Sequence, residues 1–436
     1  MPLDILEMRV LSSTWLGTSA GAPSKSRNVS STALRLDGEL WLVDIGEATQ
    51  HQIQRSKLKI SSVTKIFLTH MHGDHSFGLV PLLCALADGT GGVLAGTDPR
   101  DREALLAPPV EIYGLTGTRR LVRTTLECTY THLARRYRVN EMLFSNDKAY
   151  GGRLHHNELV GNDLWINKEG CWPSILDAGD KMQVSAAPIL HTVPCVGFIF
   201  KEPPRPASID IEAYGPLLQR NKEALAQPPH NLKNPMILLG QLKEQMLPIT
   251  LPDGAVLEPP HILDNGRKLV LLGDTYNAES KAMDSLAAEA DILVHEATNA
   301  FLPGLDDAVQ DGESYGDLYR KCRAHGHSTP QVAGHFAKRI RARSLFMNHF
   351  SARYIDVAPT LQVDAQGKVD LSDTLIVTNV GNNRAVSYSD DARNEHEIRL
   401  ACMKKIEDQA TEAWGSGPRA VATRDFMTIV VKRRKN

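Results

Sequence analysis

The stretch Thr69-His70-Met71-His72-Gly73-Asp74-His75-Ser76 follows directly on the apolar run Ile66-Phe67-Leu68. A short apolar run ending in polar residues reads as a buried strand, so this stretch is the turn at the strand's end. Three imidazoles and one carboxylate within six residues form a metal-ligand cluster. Gly73 suits a turn whose backbone must curl around an ion. The apolar run Phe77 to Leu86 that follows predicts a helix, and the same switch from short strand to helix recurs downstream. The fold class is therefore α/β with layered packing.

Further toward the N-terminus, residues 8–16 are strand-like and lead into Gly-Thr-Ser-Ala-Gly-Ala-Pro-Ser-Lys-Ser-Arg-Asn, Gly17 to Asn28. Two readings stand for that loop. Its backbone N–H groups with Lys25 and Arg27 could grip a phosphate, or it is a plain surface loop. Asp37-Gly38 between two apolar runs predicts a hairpin, and Glu47 to Gln54 begins a helix. In the other direction, a helical stretch from Gly117 to Arg138 carries Arg119, Arg120, Arg123, Arg135, Arg136 and Arg138. It is either a solvated basic face or an RNA contact. Residues 140–180 have little periodicity and read as an insertion, where the adjacent His155 and His156 are badly placed for joint ligation. The proline-rich Pro203 to Pro260 reads as an excursion from the core, an arm or a lid.

Four more apolar runs end in polar groups. Met182 to Leu190 ends at His191, Lys268 to Leu272 runs into Gly-Asp-Thr with Asp274, Asp291 to Val294 into His-Glu-Ala-Thr with Glu296, and Leu345 to Met347 into Asn-His-Phe-Ser with His349. In α/β folds chemistry gathers at the carboxyl ends of strands. His70, His72, Asp74, His75, His191, Asp274 and His349 are too many ligands for one zinc ion. Two ions sharing Asp274 accommodate them, a pairing that activates water and clamps a phosphoryl group. Asp74 is then the natural base or orienter of that water. His327, paired with Glu296, could protonate the leaving alkoxide, or it could cap the helix begun by Thr329-Pro330.

Composition bounds the rest. With 436 residues, 42% of them hydrophobic, the chain can bury a large core. A net charge of -2 exerts no whole-molecule pull on nucleic acid, so a polyanion needs local basic patches. Six scattered cysteines without a Cys-x-x-Cys pair indicate neither a disulfide framework nor a cysteine zinc knot. The acidic N-terminus lacks a presequence pattern, and no apolar run approaches the ~20 residues that span a bilayer. Cytosol or nucleus, with no membrane partner, is the expectation.

Together, Pro-Ser-Lys-Ser-Arg-Asn (23–28), Gly-Glu-Ala-Thr-Gln-His (46–51), the histidine cluster, His-Thr-Val-Pro-Cys-Val-Gly-Phe (191–198), Gly-Asp-Thr, His-Glu-Ala-Thr, Gly-His-Ser-Thr and Asn-His-Phe-Ser-Ala-Arg-Tyr resemble, in this order, the ribonuclease Z family. These are tRNA 3′-processing endonucleases of the metallo-β-lactamase superfamily, here in the short form. The resemblance implies an αββα sandwich with two zinc ions that cuts precursor tRNA after the discriminator base and leaves a 3′-hydroxyl. It also implies a homodimer whose arm grips the tRNA, with Lys25, Arg27 and Asn28 touching substrate. On this pattern residues 1–390 are the catalytic domain, with the arm at about 203–260, and residues 391–436 are a charged extension. Gly240-Gln241-Leu242-Lys243 keeps only part of the family's arm sequence. The alternative enzyme is another phosphodiesterase of the same fold acting on small phosphodiesters.

Overall fold

Side chains alternate between two cores along single strands. In Lys268–Leu272, Leu269 and Leu271 enter one core while Val270 and Leu272 enter another; in Glu39–Val43, Trp41 and Val43 part in the same way from Leu40 and Leu42. Strands apolar on both faces must be covered on both, which needs a second sheet on one side and helices on the other.

The structure is a computed structural model and describes residues 11–86, 108–133, 135–177, 182–356, 368–372, 375–378, 390–415 and 417–433. The chain runs β1 (Leu11–Gly17), β2 (Ser31–Leu36), β3 (Glu39–Val43), α1 (Thr49–Arg55), β4 (Val63–Phe67), α2 (Gly73–Ser76), α3 (Leu79–Ala85), β5 (Val110–Leu115), α4 (Thr118–Cys128), β6 (Tyr137–Leu143), β7 (Glu158–Leu159), β8 (Asp163–Trp165), β9 (Trp172–Asp177), β10 (Gln183–Ile189) and β11 (Cys195–Lys201). A second compact unit, residues 202–266, follows with β12 (Arg205–Pro206), α5 (Ile211–Arg220), α6 (Lys222–Leu225), α7 (Ile237–Gln245), β13 (Ile249–Thr250), β14 (Val256–Leu257) and β15 (Ile262–Asp264). The first unit resumes with β16 (Lys268–Leu272), α8 (Lys281–Ala287), β17 (Ile292–Glu296), α9 (Tyr315–Ala324), α10 (Pro330–Arg339), β18 (Leu345–Asn348), β19 (Lys368–Ser372), β20 (Leu375–Thr378), α11 (Asp390–Trp414), β21 (Val421–Ala422) and β22 (Thr428–Val431).

Among the described residues one sheet has the order β19-β20-β22-β1-β2-β3-β4-β5-β6-β7, with β8 beside β6, and the other β21-β18-β17-β16-β11-β10-β9. Trp15, Trp41, Phe67, Phe198, Phe200 and Phe346 fill the space between the sheets. α1, α3 and α4 cover the outside of the first sheet, and α8, α10 and α11 that of the second. This is the αββα sandwich of the metallo-β-lactamase fold. The Asp37-Gly38 turn joins β2 to β3 with positive φ at both residues (49° and 85°), the two-residue type that the dipeptide favours.

Three expectations change. The helix begun at Thr118 stops at Cys128, and Arg138 lies on β6. Arg119 and Arg123 are buried, the first bonded to Asp163 and the second to Glu158 at 2.7 and 2.9 Å, so these two cations are spent on acids of the chain itself rather than on a basic face. The described part of residues 140–180 is built into the sandwich, since β7 and β8 extend the first sheet and β9 edges the second; strands of two or three residues are too short to show periodicity. Nor is the C-terminal segment an appendage. β22 lies between β20 and β1, β21 pairs with β18, and Ile406, Ala410 and Trp414 of α11 enter the outer core beside Phe336.

The second unit has its own small core of Leu218, Leu225, Leu238, Leu239, Leu242, Leu251 and Leu257. Asp210 caps α5 by accepting the Ala213 N–H at 2.9 Å, and Gly240 to Lys243 lie within α7. Helices α5, α6 and α7 thus give the excursion a folded framework, although most of its residues lie outside them.

Candidate metal centre

All seven expected donors converge at one edge of the sandwich. β4 delivers the turn with His70 and His72, and α2 carries Asp74 and His75. His191, Asp274 and His349 follow the ends of β10, β16 and β18 within two residues. Two glycines permit this closeness. A Cβ on Gly46 would lie 2.5 Å from the Asp74 carbonyl oxygen, and one on Gly273 would lie 2.6 Å from Cβ of Thr69. The ends of the two sheets can therefore meet.

The donors fall into two groups that share Asp274: His70, His72, His191 and Asp274, then Asp74, His75, Asp274 and His349. In the first, His72 Nδ1 is 3.2 Å from Nε2 of both His70 and His191. In the second, His349 Nε2 is 3.2 Å from His75 Nε2, from Asp74 Oδ2 and from Asp274 Oδ2. The ligands of a tetrahedral zinc, each ~2.0–2.1 Å from the ion, stand roughly 3.3 Å apart, which matches these spacings.

The outer nitrogens explain why the inner ones are free to ligate. His75 Nδ1 faces Asp44 Oδ2 at 2.7 Å and His191 Nδ1 faces the Gly326 carbonyl at 2.7 Å. Only a protonated Nδ1 can satisfy such acceptors, which leaves each Nε2 lone pair pointing inward. His70 Nδ1 and His349 Nδ1 each lie 3.0 Å from a threonine hydroxyl, Thr69 and Thr298. Burial disfavours the charge on Asp74 and Asp274, but the surrounding imidazoles hold both carboxyls well below the usual range. They are anionic donors throughout the neutral range, and the imidazole and carboxylate set fits zinc.

Asp44, at the end of β3, was not singled out from the sequence. It also accepts the Thr69 N–H at 2.8 Å and so carries both the turn and His75. Its signal was the one that marked Asp274, a carboxylate just after an apolar strand.

Beside the donors, His327 Nδ1 lies 3.1 Å from Glu296 Oε1. Glu296 is buried and further held by the N–H groups of Thr275 (2.7 Å) and Ser328 (3.0 Å). Burial alone would lower the His327 pKa; the charge and hydrogen bond of Glu296 outweigh it and raise the group to about 9. The imidazole bonds Glu296 rather than capping α10, whose N-cap Thr329 makes no side-chain capping bond either.

Of the residues expected to touch substrate, the structure separates three fates. Lys25 is exposed. Asn28 uses its amide on the Glu47 carbonyl at 2.8 Å. Arg27 is 1% exposed, and its guanidinium donates to Thr18 Oγ1, Thr423 O and Tyr354 O, so the expectation that it grips substrate phosphate does not hold. Its reach is consumed by inward acceptors.

An αββα sandwich with this donor set at one edge defines a metal-dependent hydrolase of the metallo-β-lactamase fold. A family profile described as anti-Pycsar protein Apyc1 matches residues 11–86. Zinc phosphodiesterase ELAC protein 1 of Homo sapiens is 35% identical over 372 residues, covering 82% of this chain and 91% of that protein. Ribonuclease Z of Microcystis aeruginosa is 34% identical over 347 residues, covering 78% and 85%. The crystal structure of human tRNase Z, short form (ELAC1), matches with a TM-score of 0.50 at 30% identity, over 79% of this chain and 93% of that one. The chain belongs to the ribonuclease Z family of zinc phosphodiesterases and is a metal-dependent endoribonuclease.

Proposed function

We propose that the chain removes the 3′ trailer from precursor tRNA, cutting after the discriminator base, with two zinc ions per subunit. The observation that carries this reading is the pair of donor groups joined through Asp274, with the His327–Glu296 pair beside them. His70, His72 and His191 would hold one ion, Asp74, His75 and His349 the other, and Asp274 both. Zinc bound there supplies Lewis acidity that acidifies water and neutralises phosphoryl charge.

The chain's own groups do the rest. Asp74, with Oδ2 fixed by the Gly21 N–H at 2.7 Å, orients the attacking water and takes its proton. His327, kept as an imidazolium by Glu296, gives its proton to the departing ribose 3′-oxygen, which leaves the tRNA with a 3′-hydroxyl. Lys25 faces the substrate's phosphates from the exposed loop. The reading extends to a homodimer in which residues 202–266 grip the tRNA. Sedimentation tests the dimer, and deletion of residues 203–260 should abolish tRNA cutting while sparing a small phosphodiester.

The direct test is zinc-loaded protein incubated with a precursor tRNA bearing a 3′ trailer, with and without chelator. A single chelator-sensitive cut after the discriminator base is expected. Hydrolysis of a small phosphodiester with the tRNA left whole would move the protein to the small-substrate class.

A further inference from the structure

Residues 423–425 come from the far end of the chain yet sit at the root of the loop 18–28. Asp425 Oδ1 accepts the Thr18 hydroxyl at 2.8 Å, and Oδ2 accepts the Asn28 N–H at 2.6 Å and the Gln52 amide at 2.9 Å. Thr18 and Asn28 are the two ends of the loop, already tied by the N–H groups of Thr18 and Ser19 to the Asn28 carbonyl at 2.9 and 2.8 Å. One carboxylate therefore closes the loop's neck from both sides. Arg27 fills the space beneath, with Nη1 2.7 Å from Thr18 Oγ1 and 2.8 Å from Thr423 O, and its guanidinium 4.7 Å from the Phe350 ring centroid.

Beyond the neck the loop touches the metal centre twice. The Gly21 N–H donates to Asp74 Oδ2 at 2.7 Å, and the Ala20 N–H donates to the carbonyl of Phe350, the neighbour of His349, at 2.9 Å. Two donors of the second group thus lean on a loop that supplies no ligand itself. We propose that Asp425 is a positioning residue for the metal centre: it fixes the neck so that Gly21 holds Asp74 in place and Lys25 stands toward the substrate. This rests on reading the site as a zinc centre that cuts phosphodiesters. Residues that orient a ligand typically alter metal affinity by about 10–100-fold when removed.

The test compares Asp425→Ala and Asp425→Asn with the unaltered full-length protein. Zinc affinity is read by competition with a chromophoric chelator, kcat and KM on a small phosphodiester and on precursor tRNA, and the fold by circular dichroism. Asp425→Ala should weaken one zinc equivalent about 10–100-fold and leave the other unchanged. Its kcat on the small phosphodiester should fall at least tenfold, and its KM for precursor tRNA should rise. Asp425→Asn, which keeps an acceptor oxygen, should recover most of both losses. If Asp425→Ala fails to fold, Thr18→Val, which removes the hydroxyl that Asp425 and Arg27 share, should give the same one-site weakening. A folded Asp425→Ala or Thr18→Val with unaltered zinc affinity and kcat, and only a lower melting temperature, overturns the proposal. Unaltered protein that binds no zinc or cuts neither substrate would instead overturn the reading of the site.

Discussion

Two loops meet at Asp74, and they are built in opposite ways. Residues 69–76 carry four of the donors on a single turn and short helix. Residues 17–28 carry no histidine, cysteine or acidic residue, yet they hold Asp74 from the other side through Gly21. The first loop is local, because its geometry follows from a strand end, a glycine and close spacing. The second is held from afar, with its root bonded to Tyr354, Thr423 and Asp425. A metal centre can thus advertise its ligands in a short motif while what keeps them in place is scattered along the chain.

Removing Asp274 should damage the first loop's work most. It is the one donor common to both groups, so Asp274→Ala should bring cleavage below detection, a loss of about 10³-fold or more, and lower the zinc content. Retained turnover would mean the two groups do not act together. His327→Ala comes next, with cleavage slowed by about 10²–10⁴-fold at unchanged zinc content. Its pH profile sharpens the point. The imidazolium is held up to about 9, so the proton is present through neutral pH and lost as pH rises through that value. Bound cations nearby push the loss lower, so activity should decline at or below about pH 9. Activity still climbing at pH 10 would remove His327 from proton donation.

The second loop yields the smaller effects. Arg27→Met leaves the buried Thr18, Thr423 and Tyr354 acceptors and the nearby Asp356 without their cation, which should cost about 3–5 kcal/mol in denaturant unfolding. Lys25→Ala, two residues away and exposed, should leave stability untouched and raise KM for precursor tRNA about two- to fivefold, with a shallower salt dependence. Equal destabilisation by both substitutions would show that the second loop is not held from afar through Arg27.

The seven donors were legible because each follows an apolar strand, Glu296 because it ends one, and His327 because its motif stands just before the helix that Thr329-Pro330 announces. Arg27 was misread since nothing in Pro-Ser-Lys-Ser-Arg-Asn tells which cation turns inward. That is decided by acceptors 327 and 396 residues away. Arg119 and Arg123 were misread for the same reason, their acids lying on later strands. Thr428–Val431 shows its β-branched character plainly, but propensity alone does not name Leu11–Gly17 as its partner.

That partnership sets an order of events during synthesis. Ser12, Ser13 and Thr14 pair with Val430, Ile429 and Thr428, so β1 has an open edge until more than four hundred further residues have been made. Pairing over such separations is entropically slow. A growing chain that has emerged only to His349 already holds all seven candidate donors. It still lacks the strand that seals its first sheet and the carboxylate that closes the loop beneath Asp74. The timing of this enzyme's maturation is therefore written in residues beyond the last of its donors.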